Sequence, residues 1–304
     1  MSYLLLLALL PASSRDVDAT QRLIGCIHNR DKSCIAAELK APPRQASPDY
    51  LSAAAEAYLL LGRNTEAIAS IEQAVKAKPG DYDLLMQQGR IYQRSNSQVQ
   101  AIQSFLLAAK SNQSSEVFYS IGLSFFLLHE FERAGKHFTH AVQLDNRNHK
   151  AEFMLGVIAV LKDRDSGAAK THLERALAVE PDNPHYLLHY GVVLAELDDA
   201  SAMPVLERAV KADPSNALAH FNLGRLYRRA GALPKARSEL EAAVRIRPEL
   251  ARAQYQLAAV YRELGEMDKA EQATGQFLKF KDQDRDDDPV DGPPSYAFHD
   301  QPIK

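Results

Sequence analysis

The chain has 304 residues, of which 46% are hydrophobic and 25% are charged, an ordinary composition for a folded globular chain. Its formal net charge of −3 and pI of about 6.4 argue against a protein that binds a polyanion such as nucleic acid. No alternating polar and apolar pattern typical of β-strands runs for any length, so an all-α fold is predicted.

The first residues differ from the rest of the chain. An apolar run from Tyr3 to Leu10, followed by small residues, resembles the core and cleavage region of a secretory signal peptide, although no basic residue precedes it. The run is too short to span a bilayer, which needs about 20 residues. We interpret residues 1–14 as an export signal and expect a periplasmic or secreted protein. The alternative is an apolar N-terminal stub on a cytoplasmic protein.

Residues 15–47 are predicted to form an N-terminal helical hairpin or cap. This segment holds the only two cysteines, Cys26 and Cys34, on either side of a polar turn. A disulfide between them and a pair of buried thiols are both consistent with the sequence. No Cys-x-x-Cys pair is present, so the spacing does not indicate a zinc or redox site.

Seven copies of one pattern of about 34 residues occupy residues 48–281. A glycine or alanine slot recurs at spacings of 34, 33, 34, 35, 33 and 34 residues. The copies lie near 48–81, 82–114, 115–148, 149–183, 184–216, 217–250 and 251–281. Small residues at a fixed slot allow two helix axes to approach closely, so each copy is predicted to be a pair of antiparallel helices.

Breakers mark the ends of the predicted helices. Gly62, Gly231 and Gly265 stand where the first helix of a pair must stop, because glycine accepts the left-handed closing conformation. Pro214 and Pro248 stand where the second helix ends. The fourth copy has one extra residue and the fifth has one fewer, and we predict that the inter-helix loops at 162–167 and 196–200 absorb these changes.

These slots give the chain a resemblance to the tetratricopeptide repeat family, whose 34-residue signature combines Leu-Gly, Tyr, Ala, Phe, Ala and Pro. The chain departs from it in places: Trp is absent, Ala54 and Gln88 replace the leucine, and Phe277 replaces the last alanine. The resemblance implies a right-handed superhelical solenoid of about seven repeats, in which the first and last repeats act as caps.

In this family the first helix of each repeat lines the concave face, so the resemblance also implies a peptide groove. Its fifth positions form an apolar stripe of Met86, Tyr119, Phe153, Leu188, Phe221 and Tyr255. Its neighbouring positions hold Arg90, His189, Asn222, Arg225, Arg228, Arg252 and Arg262. Rings can anchor a partner's side chains while guanidinium groups hold its carboxylates or carbonyls. The alternative is that the stripe packs between neighbouring repeats.

No catalytic residues, cofactor or metal site are predicted. The pairs His137 with His140 and His185 with His189 each share a helical face, but no third ligand accompanies them. Residues 282–304 hold seven aspartates and are predicted to be an acidic disordered tail. A tail that folds back over the basic residues 217–279 as a built-in competitor stays open as a hypothesis.

The sequence therefore predicts a non-enzymatic scaffold or adaptor that binds a segment of a partner protein in its concave groove. No nucleic acid partner and no stable membrane insertion are expected, and self-association stays open. The alternatives are a substrate-recruiting or regulatory subunit for a separate enzyme, such as a glycosyltransferase, and a self-assembling repeat protein.

Overall fold

The computed structural model describes residues 12–281, with side chains from residue 17 onward. Within that range the chain forms sixteen α-helices and one π-helical turn and contains no strand, as the predicted all-α fold requires. The helices are α1 Ala12–His28, α2 Lys32–Leu39, α3 Pro48–Leu60, α4 Asn64–Ala77, α5 Tyr82–Arg94, α6 Gln98–Ser111, α7 Ser115–Leu127, α8 Phe131–Leu144, α9 His149–Ile158, α10 Ser166–Val179, α11 Pro184–Glu196, α12 Ala202–Ala212, α13 Ala217–Arg229, α14 Leu233–Ile246, α15 Ala251–Glu263 and α16 Met267–Phe280. None of these helices has the length and apolar character needed to cross a membrane.

The helices belong to two compact units, one ending at Leu144 and the other starting at Asp145. The first unit contains α1 to α8 and the second contains α9 to α16. From α3 onward the helices pack in consecutive pairs, and each pair also packs on the next pair of its own unit. The core of each unit is a row of buried apolar side chains between these layers.

The first two helices form a hairpin on α3. Asp31 caps α2 by accepting hydrogen bonds from the backbone amides of Ser33 and Cys34, at 2.9 and 3.0 Å. Cys26 and Cys34 are joined as a disulfide, with Cα atoms 5.5 Å apart. Of the predicted export signal, only residues 12–14 are described, as the start of α1, and the predicted tail 282–304 lies outside the described residues.

The glycine slot is the point of closest approach within a helix pair. A Cβ atom at Gly224 of α13 would lie 2.7 Å from Cγ of Leu240 on α14. The same conflict recurs at Gly89 with Phe105, Gly122 with Phe138, Gly156 with Leu173 and Gly191 with Leu206. The predicted close contact is therefore confirmed, because in these pairs a bulky residue of the second helix occupies the space that a side chain would need.

Every turn inside a repeat contains one residue with positive φ. Gly62, Gly231 and Gly265 have φ between 74° and 79°, as predicted. The other four turns adopt the same left-handed conformation without glycine, at Asn96, His129, Arg164 and Asp198. Asparagine, aspartate and histidine adopt this conformation more readily than other side chains, so Arg164 is the corner where the pairing of the helices most clearly imposes the turn.

The extra residue of the fourth copy lies partly inside a helix. The prediction that a loop absorbs it was wrong in this respect, because α9 continues into a π-helical turn over Ala159–Asp163 before Arg164 closes it. A π-turn spaces its hydrogen bonds one residue wider than an α-helix and so accommodates one additional residue. In the fifth copy the missing residue does fall at the turn, because α12 begins only at Ala202.

Tyrosine and glutamate side chains connect consecutive repeats. Tyr227 on α13 donates to Oε1 of Glu207 on α12 at 2.5 Å, and Tyr261 on α15 donates to Oε1 of Glu241 on α14 at 2.9 Å. Tyr92 with Glu72 and Tyr190 with Glu174 form the same kind of bond. Burial and the glutamate partner raise the pKa of Tyr92, Tyr227 and Tyr261 to about 12, so the donor stays protonated near neutrality.

Two histidine–glutamate pairs link the helices of a repeat, and the histidine stands on opposite helices in the two repeats. Glu152 on α9 is only 3% exposed and contacts Nδ1 of His172 on α10 at 2.6 Å. In the α13 and α14 pair the imidazole is on the first helix, where Nδ1 of His220 lies 2.6 Å from Oε2 of Glu239. Nε2 of His220 faces the carbonyl oxygen of Pro214 at 3.1 Å. Because both ring nitrogens face acceptors, the doubly protonated imidazolium satisfies this site fully.

We expect Gly224→Ala to lower the free energy of unfolding by about 1–3 kcal/mol, because the added methyl group overpacks the contact with Leu240. The matched control is Gly275→Ala, a helical position where a Cβ meets nothing within 4 Å. That change should stabilise slightly through helix propensity. Urea denaturation followed by circular dichroism measures both, and equal behaviour of the two variants would contradict the close-contact interpretation.

The His220 pair predicts a pH-dependent stability. Its hydrogen bond to Glu239, followed by the one to Pro214, raises the pKa of His220 above 6.5, against opposing burial and the charge of Arg245. The stabilisation is therefore complete below pH 6.5 and is lost as the pH rises through the folded-state pKa. Thermal midpoints of the native chain should fall over this interval, and Glu239→Gln should reduce the fall. Glu249→Gln, an exposed acid on the adjacent loop, should leave the profile unchanged.

Candidate functional site

In the second unit, the predicted binding residues lie on the first helix of each pair. The apolar stripe there is largely buried: Phe153 is 1% exposed, Leu188 3% and Phe221 6%. The ring of Phe153 on α9 stacks on Tyr186 of α11 with centroids 4.8 Å apart. Phe153, Leu188 and Phe221 therefore pack between neighbouring repeats, which is the alternative that the sequence left open, and these three side chains are not exposed anchors in the free chain.

His189 belongs to the same buried cluster. Its ring meets Phe153 edge to face, with centroids 5.0 Å apart. Burial, followed by the charge of His185, lowers the pKa of His189 to about 4. The imidazole is therefore neutral at physiological pH and offers no cation to a ligand.

In the first unit, Met86 and Tyr119 of the stripe are also buried. Tyr119 is 9% exposed and its ring lies 5.7 Å from that of Phe138, while Arg90 is exposed and forms an ion pair with Glu116. Buried amides and hydroxyls link the helices. Gln93 donates to Oγ of Ser124 at 2.7 Å.

A carboxylate in this unit lies beside two arginines. Burial raises the pKa of Glu56 on α3, and the charges of Arg94 and then Arg90 on α5 oppose the shift. Arg90 and Glu56 thus both have charged neighbours within the unit.

The second unit presents four of the predicted arginines on two adjacent helices, and we call Arg225, Arg228, Arg252 and Arg262 the arginine strip. Arg225 on α13 and Arg252 on α15 both approach the ring of Phe221, each with its guanidinium carbon 5.9 Å from the centroid. The ring therefore holds two guanidinium groups close together through cation–π attraction. Asn222 is 4% exposed and donates to the carbonyl oxygen of Leu218, so its amide bonds within helix α13.

The other two members of the strip bond to neighbouring helices. Arg228 forms an ion pair with Glu263 on α15, at 2.7 Å, and donates to Oε1 of Gln256 at 2.8 Å. Arg262 on α15 donates to Oγ1 of Thr274 on α16 at 2.9 Å. These contacts position both guanidinium groups and link α13, α15 and α16.

Tyr255 differs from the rest of the stripe. It is 52% exposed, and its ring lies 5.4 Å from that of Phe277 on α16. One ring of the predicted groove is therefore accessible to a partner, and it stands on the same helix as Arg252.

Positive charge prevails on the two helices that carry the strip. Helices α13 and α15 together carry five arginines and a single acidic residue, Glu263. Clustered like charges of this kind attract a segment that carries carboxylates.

A model described as the Cilia and flagella-associated protein 70 C-terminal domain, built of these repeats, matches residues 26–254. A second model, described as Tetratricopeptide repeat, matches residues 251–283. The chain belongs to the tetratricopeptide repeat family. No curated protein matches the sequence.

Solved structures show the same tetratricopeptide repeat fold at low identity. The APC/C hetero-tetramer Cut9-Hcn1 matches with a TM-score of 0.63 and 16% identity over 78% of this chain, which spans only 48% of that chain. PilF of Pseudomonas aeruginosa matches with a TM-score of 0.61 and 19% identity over 68% of this chain and 95% of its own. YrrB, described as a tetratricopeptide repeat protein with an unusual peptide-binding site, matches with a TM-score of 0.52 and 24% identity over 60% of this chain and 94% of its own.

The histidine pair on α8 packs against aromatic rings of α7. His137 stacks on Phe125 with centroids 5.4 Å apart, and His140 meets Phe118 edge to face at 4.2 Å. Among the described residues, no cluster of three or more His, Cys, Asp or Glu side chains could hold a metal ion.

Sequence reasoning missed the glutamates that bond to tyrosines of the site helices. The glutamates that accept from the repeat tyrosines recur in the second helices, but nothing in a single helix indicates that they reach the following repeat. The signal available in the sequence was that a glutamate in the second helix of one repeat recurs together with a tyrosine in the first helix of the next repeat.

Phe153→Ala should destabilise the fold by about 3–5 kcal/mol, because it removes a ring that is 1% exposed. Tyr255→Ala is the matched control, and at 52% exposure it should change the thermal midpoint only slightly. Similar losses in both variants would show that Phe153 is not packed as described.

Proposed function

We propose that this tetratricopeptide repeat chain is a non-enzymatic scaffold that holds an acidic segment of a partner protein against the arginine strip. The observation that carries the proposal is the approach of Arg225 and Arg252 to the ring of Phe221, with exposed Tyr255 on the same helix as Arg252. Guanidinium groups bind carboxylates with strong, directional hydrogen bonds. A partner segment with acidic residues and one apolar side chain matches this surface.

The proposed mechanism needs little rearrangement of the scaffold. Phe221 is buried and fixed, and Arg228 and Arg262 already bond to neighbouring helices. Because the receiving groups are ordered before binding, less conformational entropy is lost on association. A role as a recruiting subunit for a separate enzyme, or as a self-assembling protein, stays a prediction that uses the same fold.

The test is fluorescence anisotropy with a labelled set of twelve-residue peptides in which acidic residues alternate with leucine. Replacing both Arg225 and Arg252 by glutamine should weaken binding at least tenfold, and rising salt should weaken binding to the native chain. The control is Arg208→Gln with Lys211→Gln, which removes the same charge from helix α12. The proposal is refuted if none of the acidic peptides binds the native chain, or if the control variant loses as much peptide affinity as the Arg225 and Arg252 variant.

A further inference from the structure

We infer that the arginine strip has an occupant within the chain itself: the acidic segment that follows α16. This inference rests on the proposed function, because it assigns a regulator to the same surface. Residues 282–291 contain six aspartates and one basic residue, Arg285. The segment therefore carries the charge that the strip is built to attract.

The segment starts beside the strip. Helix α16 ends at Phe280, and in its last turn Phe277 contacts Tyr255 in the first half of α15. Arg252 lies one helical turn before Tyr255 on that helix. The chain thus leaves α16 next to the N-terminal end of α15, where the strip begins.

The length of the segment suffices. A ten-residue extended chain spans roughly 33 Å, whereas a thirteen-residue helix such as α15 is about 20 Å long. Residues 282–291 can therefore run along α15 and reach Phe221 on the neighbouring α13 without any movement of the helices. The aspartates need no regular fold to do so, because each can approach a guanidinium independently.

Covalent attachment of the tail to α16 allows weak contacts to keep it on the strip. Exposed ion pairs contribute little individually. A segment tethered directly to α16, however, is present at an effective concentration on the order of millimolar. The tail would therefore compete with weakly binding acidic partners and exclude them, while a partner with higher affinity displaces it. The chain would select partners by affinity above a threshold that its own tail sets.

The experiment compares the full chain with a full-length variant in which Asp282, Asp284, Asp286, Asp287, Asp288 and Asp291 are all changed to asparagine. The probe is a labelled synthetic peptide of residues 282–304, followed by fluorescence anisotropy at low salt. We expect the peptide to bind the neutralised variant about tenfold more tightly than the native chain, since the native tail occupies the strip. Adding Arg225→Gln and Arg252→Gln should abolish binding to both chains.

A matched control neutralises two exposed acids of α16, Asp268→Asn and Glu271→Gln, and should leave peptide affinity at the native value. Equal affinity of the peptide for the native chain and the tail variant would overturn the inference. So would absence of peptide binding to both chains. In either case the acidic peptide set, measured on the variant with the neutralised tail, still tests the proposed function separately, because that tail no longer competes for the strip.

Discussion

The close contact between a small residue on one helix and a bulky residue on the next is the constraint on which this structure depends. Where glycine occupies the slot, the second helix inserts a phenylalanine or leucine into the volume that a Cβ would take. The contact sets the distance between the two helices and so decides which side chains can reach the following repeat. The tyrosine–glutamate bonds and the cation–π arrangement at Phe221 both require that spacing.

The sequence predicted the repeats well because their determinants are local and periodic. Glycine at 224 and leucine at 240 belong to one repeat, so their recurrence identifies a helix pair without knowledge of anything distant. The exposure of the inner stripe could not be predicted in the same way. Whether Phe153 faces solvent or Tyr186 depends on how the next repeat docks, and position within a single helix does not determine it. Tyr255 stands on α15, which with α16 forms the last described helix pair, so no further described repeat packs on its ring.

The candidate site combines a predicted part and an unpredicted part. Clustering of arginine on α13 and α15 was visible in the sequence, where Arg228 and Arg262 occupy equivalent slots of adjacent repeats. The pairing of Arg228 with Glu263 and the two guanidinium groups around Phe221 required coordinates, because they join separate helices. The same reasoning explains the π-turn of α9. Counting residues located the insertion, but only the backbone showed that the helix itself widened to hold it.

The left-handed turns have a consequence for how such a chain can diversify. Asn96, His129, Arg164 and Asp198 adopt the conformation that glycine adopts in the other three turns. Four different side chains therefore occupy equivalent corners, so the turn does not require glycine. Each corner can then acquire charge, ring or amide by mutation while the layers beneath it keep their alignment.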